Sequence, residues 1–497
     1  MNNVIVVGSG PAGISVATGL LERGCKVTLL DAGNTLEIEK QNVLHEIQKN
    51  NLDLSFLKST AYAKKKLKLP YGSNFIYDDV KDYFSWKTQN CYLPHSFAQG
   101  GLSNAWGGVL SEFSEKELSN WPESCRNLST YYPKIISLFE KYYTSDSSNF
   151  LSTQACYLKD RWSKNRSHLE NDGFYFRPAT LGVNFNHCRL CGSCQHGCPY
   201  ELIYHTSIYL ALLKLNKNFD YVNGVVVENF FENNKDIEIL VKHIKDKRSF
   251  RMKTDRLFIA SGSGLSSLLY LRSLNEIGKK LVLKDSQHFI LPCLLDKRFK
   301  NVKDDNLHTL CQLEMSLTQE NISRYPIHLQ FYTYMDLYKI ELKNKLKWSY
   351  FLLKPLLKSL VERLIIIQGY LDSRESNYLT IQYKCNNQFE IKANKSRSVM
   401  HTINCISRYL KQNKNNLAFN PLLFLSSKSL VGQANHVGGS LPMSDDPKGD
   451  EVNIWGTPNH FKRVHFVDGS ILPSIPAGPI TLTIMANAYR IGKEAPL

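Results

Sequence analysis

The sequence predicts an α/β protein built on a Rossmann-type nucleotide-binding fold and joined to a second domain of antiparallel sheet backed by helices. Three observations lead there. The chain opens on a strand, a glycine turn and a helix; its later half carries alternating apolar runs such as IHLQFYTYM and YLTIQYK; and it has 497 residues, more than one hydrophobic core usually supports.

The opening element is the apolar run VIVV at residues 4–7, followed at once by Gly8-Ser-Gly10-Pro11-Ala12-Gly13 and the helical pattern ISVATGLLERG. A lone GxGxxG is a weak signal. Here a second strand, KVTLL, follows the helix and ends on Asp31, which is the context the motif requires. Gly8 permits a sharp turn, Gly10 lets the backbone approach a pyrophosphate, Gly13 lets helix and strand pack closely, and the helix N-terminus offers unpaired N–H groups to phosphate. Asp31 is placed to accept hydrogen bonds from the adenosine ribose, and a carboxylate there disfavours a 2′-phosphate. FAD or NAD is therefore expected rather than NADP.

Composition narrows the class further. A hydrophobic content of 43% with 21% charged residues is that of a globular chain, not a disordered one. The net charge of +16 draws anions, yet the lysines are scattered and no nucleic-acid module is present, so no nucleic-acid partner is expected; an anionic substrate is mildly favoured. The first strand starts within three residues of Met1 and leaves no room for a cleavable signal, which points to the cytoplasm. There the twelve cysteines bind metal or stay reduced rather than form disulfides.

The segment KWSYFLLKPLLKSLVERLIIIQGYL, residues 347–371, is interrupted by Lys354, Pro355, Lys358, Glu362 and Arg363 and does not read as a membrane span. Leu353, Leu356, Leu357, Leu360 and Leu364 recur at helical spacing and predict a helix packed on a core. Trp348 and the flanking lysines leave peripheral membrane contact as the second reading.

Further stretches resemble the glucose-methanol-choline (GMC) oxidoreductases, in the form carried by their bacterial cholesterol-oxidase-like branch. GGLSNAWGGVLSEFS (100–114) looks like the flavin-contacting segment of that family, with Gly101, Ser103, Asn104 and Ala105 at the contact positions. ELSNWPESCRNLSTYY resembles the region that follows it, and DRLFIASGSGLSSLLYLRS (255–273) the strand and turn closing the FAD domain, through Gly262. The densest match is C-terminal: NHVGGSLP and, later, HFVDGSILPSIPAGPITLTIMANAYR. The resemblance implies a discontinuous FAD-binding domain, residues 1–110, 175–275 and 425–497, with a substrate-binding domain of 111–174 and 276–424 whose sheet roofs the flavin. It also implies that Asp468 and Gly469 contact FAD and that His436, with Asn435 beside it, is catalytic.

That role for His436 has a chemical basis. Moving a hydride from an alcohol carbon to flavin N5 requires the hydroxyl proton to leave, and a neutral imidazole takes it at neutral pH. One position departs from the family: where a second histidine or asparagine steadies the substrate oxygen, the spacing from Asp468 puts Pro479, which has no side-chain donor or acceptor and no N–H. Either Asn435 or a residue of the substrate domain supplies that partner, or the reaction differs from alcohol oxidation.

Cys188, Cys191, Cys194 and Cys198, followed by Pro199, spell C-x2-C-x2-C-x3-C-P, a run that ferredoxins use for iron–sulfur clusters. A 4Fe-4S or 3Fe-4S cluster is expected on one reading, with Cys156 as a candidate remote ligand. Reduced structural thiols are the other, because similar cysteine-rich segments occur in bacterial members of the family without establishing a cluster; zinc is the third. A cluster would favour a dehydrogenase that passes electrons to a protein or quinone.

The function expected is FAD-dependent oxidation of a CH–OH group on a small, sugar-like or lipid-linked alcohol. Two other readings stay open: a redox-neutral isomerase acting on a sugar derivative, and an electron-transfer subunit whose alcohol site is inactive.

Overall fold

The structure, a computed structural model, describes residues 3–50, 68–78, 80–300, 302, 305, 307–335, 359–385, 387–396 and 398–497. The chain starts on the strand Asn3–Val7, the centre of a parallel five-stranded sheet in the order Val464–Phe466, Arg256–Ile259, Asn3–Val7, Lys26–Leu30, Phe219–Val222. Four of the five residues of Asn3–Val7 are buried, as a strand covered on both faces requires.

Both ends of the chain meet on this sheet. Helix Pro11–Glu22, with Pro11 at its first turn, packs against the C-terminal helix Thr481–Glu494. Their approach rests on two glycines: a Cβ on Gly19 would lie 2.8 Å from the Tyr489 carbonyl oxygen, and one on Gly492 would lie 2.6 Å from that of Val16.

A second five-stranded sheet contains Lys280–Asp285, Tyr378–Tyr383, Gln388–Asn394, Ser85–Gln89 and the short strand Val437–Gly438, which pairs with Lys284 and Asp285. The third sheet has seven strands, its path running Phe419–Pro421, His288–Leu295, Leu364–Tyr370, Ile327–Tyr332, Leu313–Leu317, Phe174–Pro178, all antiparallel. One face is apolar: Phe289, Leu291, Leu313, Met315, Leu329, Phe331, Ile365 and Ile367 form a core with residues of helices Thr153–Lys164 and Val399–Gln412. Because side chains alternate along a strand, the residues between them face away from those helices. Gly369 stands opposite Phe289, whose ring lies where a Cβ would be, 2.0 Å away.

The α/β class with a helix-backed antiparallel sheet is the architecture expected from the sequence. The helix expected over 347–371 is corrected in its second half. Leu364 opens a strand, and the branched run Ile365–Ile367 pairs on both edges, with His288–Leu295 and Ile327–Tyr332. Leu353, Leu356 and Leu357 lie outside the described residues, as does Trp348. Among the described residues no helix is long and apolar enough to cross a membrane.

Candidate active site

A single elongated cavity runs from the tip of the parallel sheet to the seven-stranded sheet. At its first end lie Gly8, Ser9, Gly10, Pro11, Ala12 and Asp31. Gly8 has φ +99°, and a Cβ on it would be 2.6 Å from the Ala260 carbonyl oxygen; a Cβ on Gly13 would be 1.8 Å from the Gly8 oxygen. Gly13 thus seals the turn without lining the cavity. A Cβ on Gly10 would meet nothing within 4 Å, so the backbone at the helix N-terminus stands open to a ligand.

Asp31 is buried, and burial pushes its carboxyl up to about 6. Its Oδ2 accepts from Ser9 Oγ and, at 3.0 Å, from Tyr221 OH. The carboxylate also accepts backbone hydrogen bonds from Ser9 and Ala32, which fix it at the mouth of the turn. Ser9 Oγ also accepts from Gly100 N at 2.8 Å and ties this end to the 100–108 segment.

That segment supplies one wall: Gly101, Ser103, Ala105, Trp106, Gly107 and Gly108 line the cavity. Asn104 does not. Its Nδ2 donates to the carbonyls of Gln99 and Gly101, at 2.9 and 2.8 Å, so it builds the turn and faces a neighbouring cavity. Ser103 accepts the N–H of Thr206, and Trp106 Nε1 donates to the Tyr204 carbonyl at 2.7 Å. Gly262, Asp468, Gly469 and Pro479 line the cavity from the other side. Asp468, fully buried, accepts from Gly262 N at 2.8 Å, from Ser470 N at 2.9 Å and from Ser266 Oγ, pinning two turns together.

At the far end Asn435 and His436 enter from a turn fixed by Asp285, whose Oδ2 accepts the N–H of Gly432 at 3.0 Å. Asn435 has φ +63°, a left-handed conformation that asparagine tolerates. The His436 ring stacks on Tyr370, with centroids 4.7 Å apart and planes at 22°. Burial, and secondarily His288, hold its imidazole down at about 4, so it is neutral at pH 7. Among the described residues Asn435 Oδ1 and His436 Nδ1 have no hydrogen-bond partner, a need that a bound ligand or water would satisfy.

The residues present therefore suit FAD: an open helix N-terminus for pyrophosphate, a buried carboxylate for ribose, and a cavity continuous with a neutral imidazole. Sequence reading missed the roof. Gln330, Tyr332, Gln368 and Tyr370 line the cavity next to His436, and Lys68, Trp106 and Gln195 also line it. The first two lie at alternate positions of IHLQFYTYM, and that alternation was the available signal.

The iron–sulfur expectation finds no support. Among the described residues no three His, Cys, Asp or Glu side chains are grouped so as to hold a metal ion. Cys188 and Cys194 pack against an apolar cluster that includes Val183, Phe185 and Leu310. Burial first, then the neighbouring thiols, push Cys194 up to about 12. Cys198 Sγ accepts from Leu202 N, and Cys156 is exposed on a separate helix. The segment is a tight loop, with Leu190, Gly192, Gly197 and Glu201 at positive φ, wedged against Tyr71 and leading into the Tyr204 and Thr206 contacts that hold the cavity wall. Protein purified anaerobically is expected to contain no stoichiometric iron or acid-labile sulfide, by elemental analysis and EPR; one cluster per chain would refute this.

Comparison with known proteins agrees with the geometry. Residues 410–488 match the family model of GMC oxidoreductases. A search of curated proteins finds no match. Among solved structures the chain is similar to pyridoxine 4-oxidase from Mesorbium loti, with a TM-score of 0.60 and 12% identity over 99% of each chain. The resemblance to GMC oxidoreductases drawn from the sequence is upheld at the C-terminus by the family match, the whole-chain likeness shows the fold, and the cholesterol-oxidase-like branch is not singled out.

Proposed function

We propose that this chain, an oxidoreductase of GMC type by its C-terminal segment and its fold, binds FAD along the elongated cavity and oxidises a CH–OH group at the end occupied by His436. The observation that carries the proposal is the continuity of one cavity from the Gly8–Gly13 turn and Asp31 to His436. Gly8–Ala12 and the helix N-terminus would hold the pyrophosphate, Asp31 the ribose, and Gly101, Ser103, Ala105, Gly262, Asp468, Gly469 and Pro479 the remainder. When bound, FAD supplies the hydride acceptor.

The chain's own part is to place the alcohol and take its proton. His436, uncharged because it is enclosed, can accept the hydroxyl proton without first losing one. Tyr370, stacked on the ring, fixes its plane. The preference for a dehydrogenase rested on an iron–sulfur cluster, so without one oxidase and dehydrogenase are equally compatible with the site.

The test is to load the protein with FAD and mix it anaerobically with a panel of primary and secondary alcohols. Lasting loss of the oxidised-flavin absorption with at least one alcohol is expected. Failure to bind FAD, or product formed without net bleaching, would overturn the proposal, the latter in favour of an isomerase.

A further inference from the structure

Resting on that proposal, we infer that the facing amides Gln330 and Gln368 hold the substrate's hydroxyl oxygens where Pro479 leaves no partner, and that they select a neutral, polyhydroxylated substrate. The two residues sit directly opposite each other on the antiparallel strands Ile327–Tyr332 and Leu364–Tyr370. Leu329, Phe331, Ile365 and Ile367 belong to the helix-backed core, so Gln330 and Gln368 fall on the opposite face, and both line the cavity that contains His436. Gln368 is two residues from Tyr370, whose ring stacks on His436, a step of about 7 Å along a strand. That is the span of one substituted ring.

Gln330 is pre-set. Tyr332 OH donates to its Oε1 at 3.0 Å, and its Nε2 lies 3.3 Å from His328 Nε2. The same His328 Nε2 lies 3.4 Å from Glu314 Oε1; as the acceptor for Gln330 it carries no proton to donate there, and Glu314, 3% exposed, is held instead by Arg177 Nε at 3.2 Å and by the Thr180 N–H at 3.2 Å. An amide has two N–H donors and two acceptor lone pairs, so these contacts leave Gln330 with one of each. A hydroxyl also donates one hydrogen bond and accepts others, and a pair of amides about 5 Å apart across two strands suits neighbouring hydroxyls.

Charge supports the class. Among the described residues lining the cavity the cation is Lys68; its Nζ donates to the Trp106 carbonyl at 2.8 Å, and burial holds it down at about 8. Glu314 is neutralised by Arg177 behind His328. The +16 charge of the chain is therefore not concentrated on the reacting end, and the anionic-substrate preference drawn from it does not extend to the group being oxidised. A plain hydrocarbon alcohol would leave unused the donor and acceptor that Gln330 keeps beyond Tyr332 and His328, and those that Gln368 keeps beyond its hydrogen bond with His288, a loss that polar sites penalise.

The test uses the FAD-loaded full chain, with glucose, galactose and myo-inositol as polyols and cyclohexanol as the mono-ol. Binding is read as perturbation of the flavin absorption and as thermal shift, and turnover as anaerobic flavin reduction. Wild type is expected to respond to at least one polyol at concentrations where cyclohexanol has no effect. Gln330→Met and Gln368→Met should each weaken that response by about ten- to a hundredfold, with FAD content and reduction by dithionite unchanged. If Gln330→Met fails to fold because His328 and Tyr332 lose their partner, Gln368→Met carries the test alone. Equal response to cyclohexanol, unchanged polyol binding in Gln368→Met, or the same loss appearing in Asn435→Ala instead would overturn the inference and leave FAD-dependent oxidation standing. A wild type that takes up no FAD would sink the parent proposal together with this one.

Discussion

Replacing His436 with alanine is expected to slow flavin reduction by substrate about 10²- to 10⁴-fold while the protein keeps its FAD. The side chain is not needed to hold the fold: its ring makes a stacking contact with Tyr370, and its backbone carbonyl, which accepts the Ser286 N–H at 3.0 Å, survives the substitution. What disappears is the proton acceptor. Because enclosure holds this imidazole down at about 4, instead of the usual value near 6.5, the group stays a base through mildly acid solution. The rate of flavin reduction should therefore be flat between pH 8 and 5 and fall only as pH approaches about 4. Stopped-flow reduction across that range checks both statements. A limb at pH 6.5, or an alanine variant within threefold of wild type, would remove His436 from the chemistry.

How much of this was legible in the sequence depends on how local each feature is. The Gly8–Gly13 turn and Asp31 are contiguous strand, turn, helix and strand, and Gly13 answers a contact within the same unit, its position lying against the Gly8 carbonyl, whereas Gly8 answers the distant Ala260. His436 and the Asp468 turn were legible through a motif, although the cause of their placement, Asp285 holding Gly432 from 147 residues away, is not in the local pattern. The roof was half legible. His328, Gln330 and Tyr332 alternate visibly, but their partners Gln368 and Tyr370 lie in a segment where Leu360 and Leu364 fit a helical period. The branched run Ile365–Ile367 is the better guide there, because its strand is flanked by two others that no short window contains. The cysteines were legible as neighbours, since Cys188, Cys191, Cys194 and Cys198 lie close enough to act on one another, but spacing along the chain does not show whether thiols that also pack on Val183, Phe185 and Leu310 hold a metal.

FAD-free protein is expected to lose stability on acidification from pH 6.5 to 5. Six histidines set inside the fold have imidazoles held down by burial: His205, His288, His436 and His465 at about 4, and His308 and His328 at about 3. Below pH 6.5 the unfolded chain takes up these protons while the folded chain does not, so stability rises with pH between about 4 and 6.5 and falls as acid is added. Five carboxyls act against this: burial lifts Asp31 to about 6 and Asp285 to about 7, and raises Glu117, Glu314 and Asp468 as well, so in the same window the folded state holds protons that the unfolded state has released. The histidines outnumber the carboxyls, so the net is proton uptake on unfolding and stability falls as acid is added across this window. Urea titrations at half-unit steps measure the slope. His308 lies against Phe185, away from the cavity, so His308→Gln should lower the slope by about one proton without affecting flavin reduction. A urea midpoint that stays level between pH 6.5 and 5 would mean these imidazoles take up protons in the folded chain, and the neutral base assigned to His436 would fall with them.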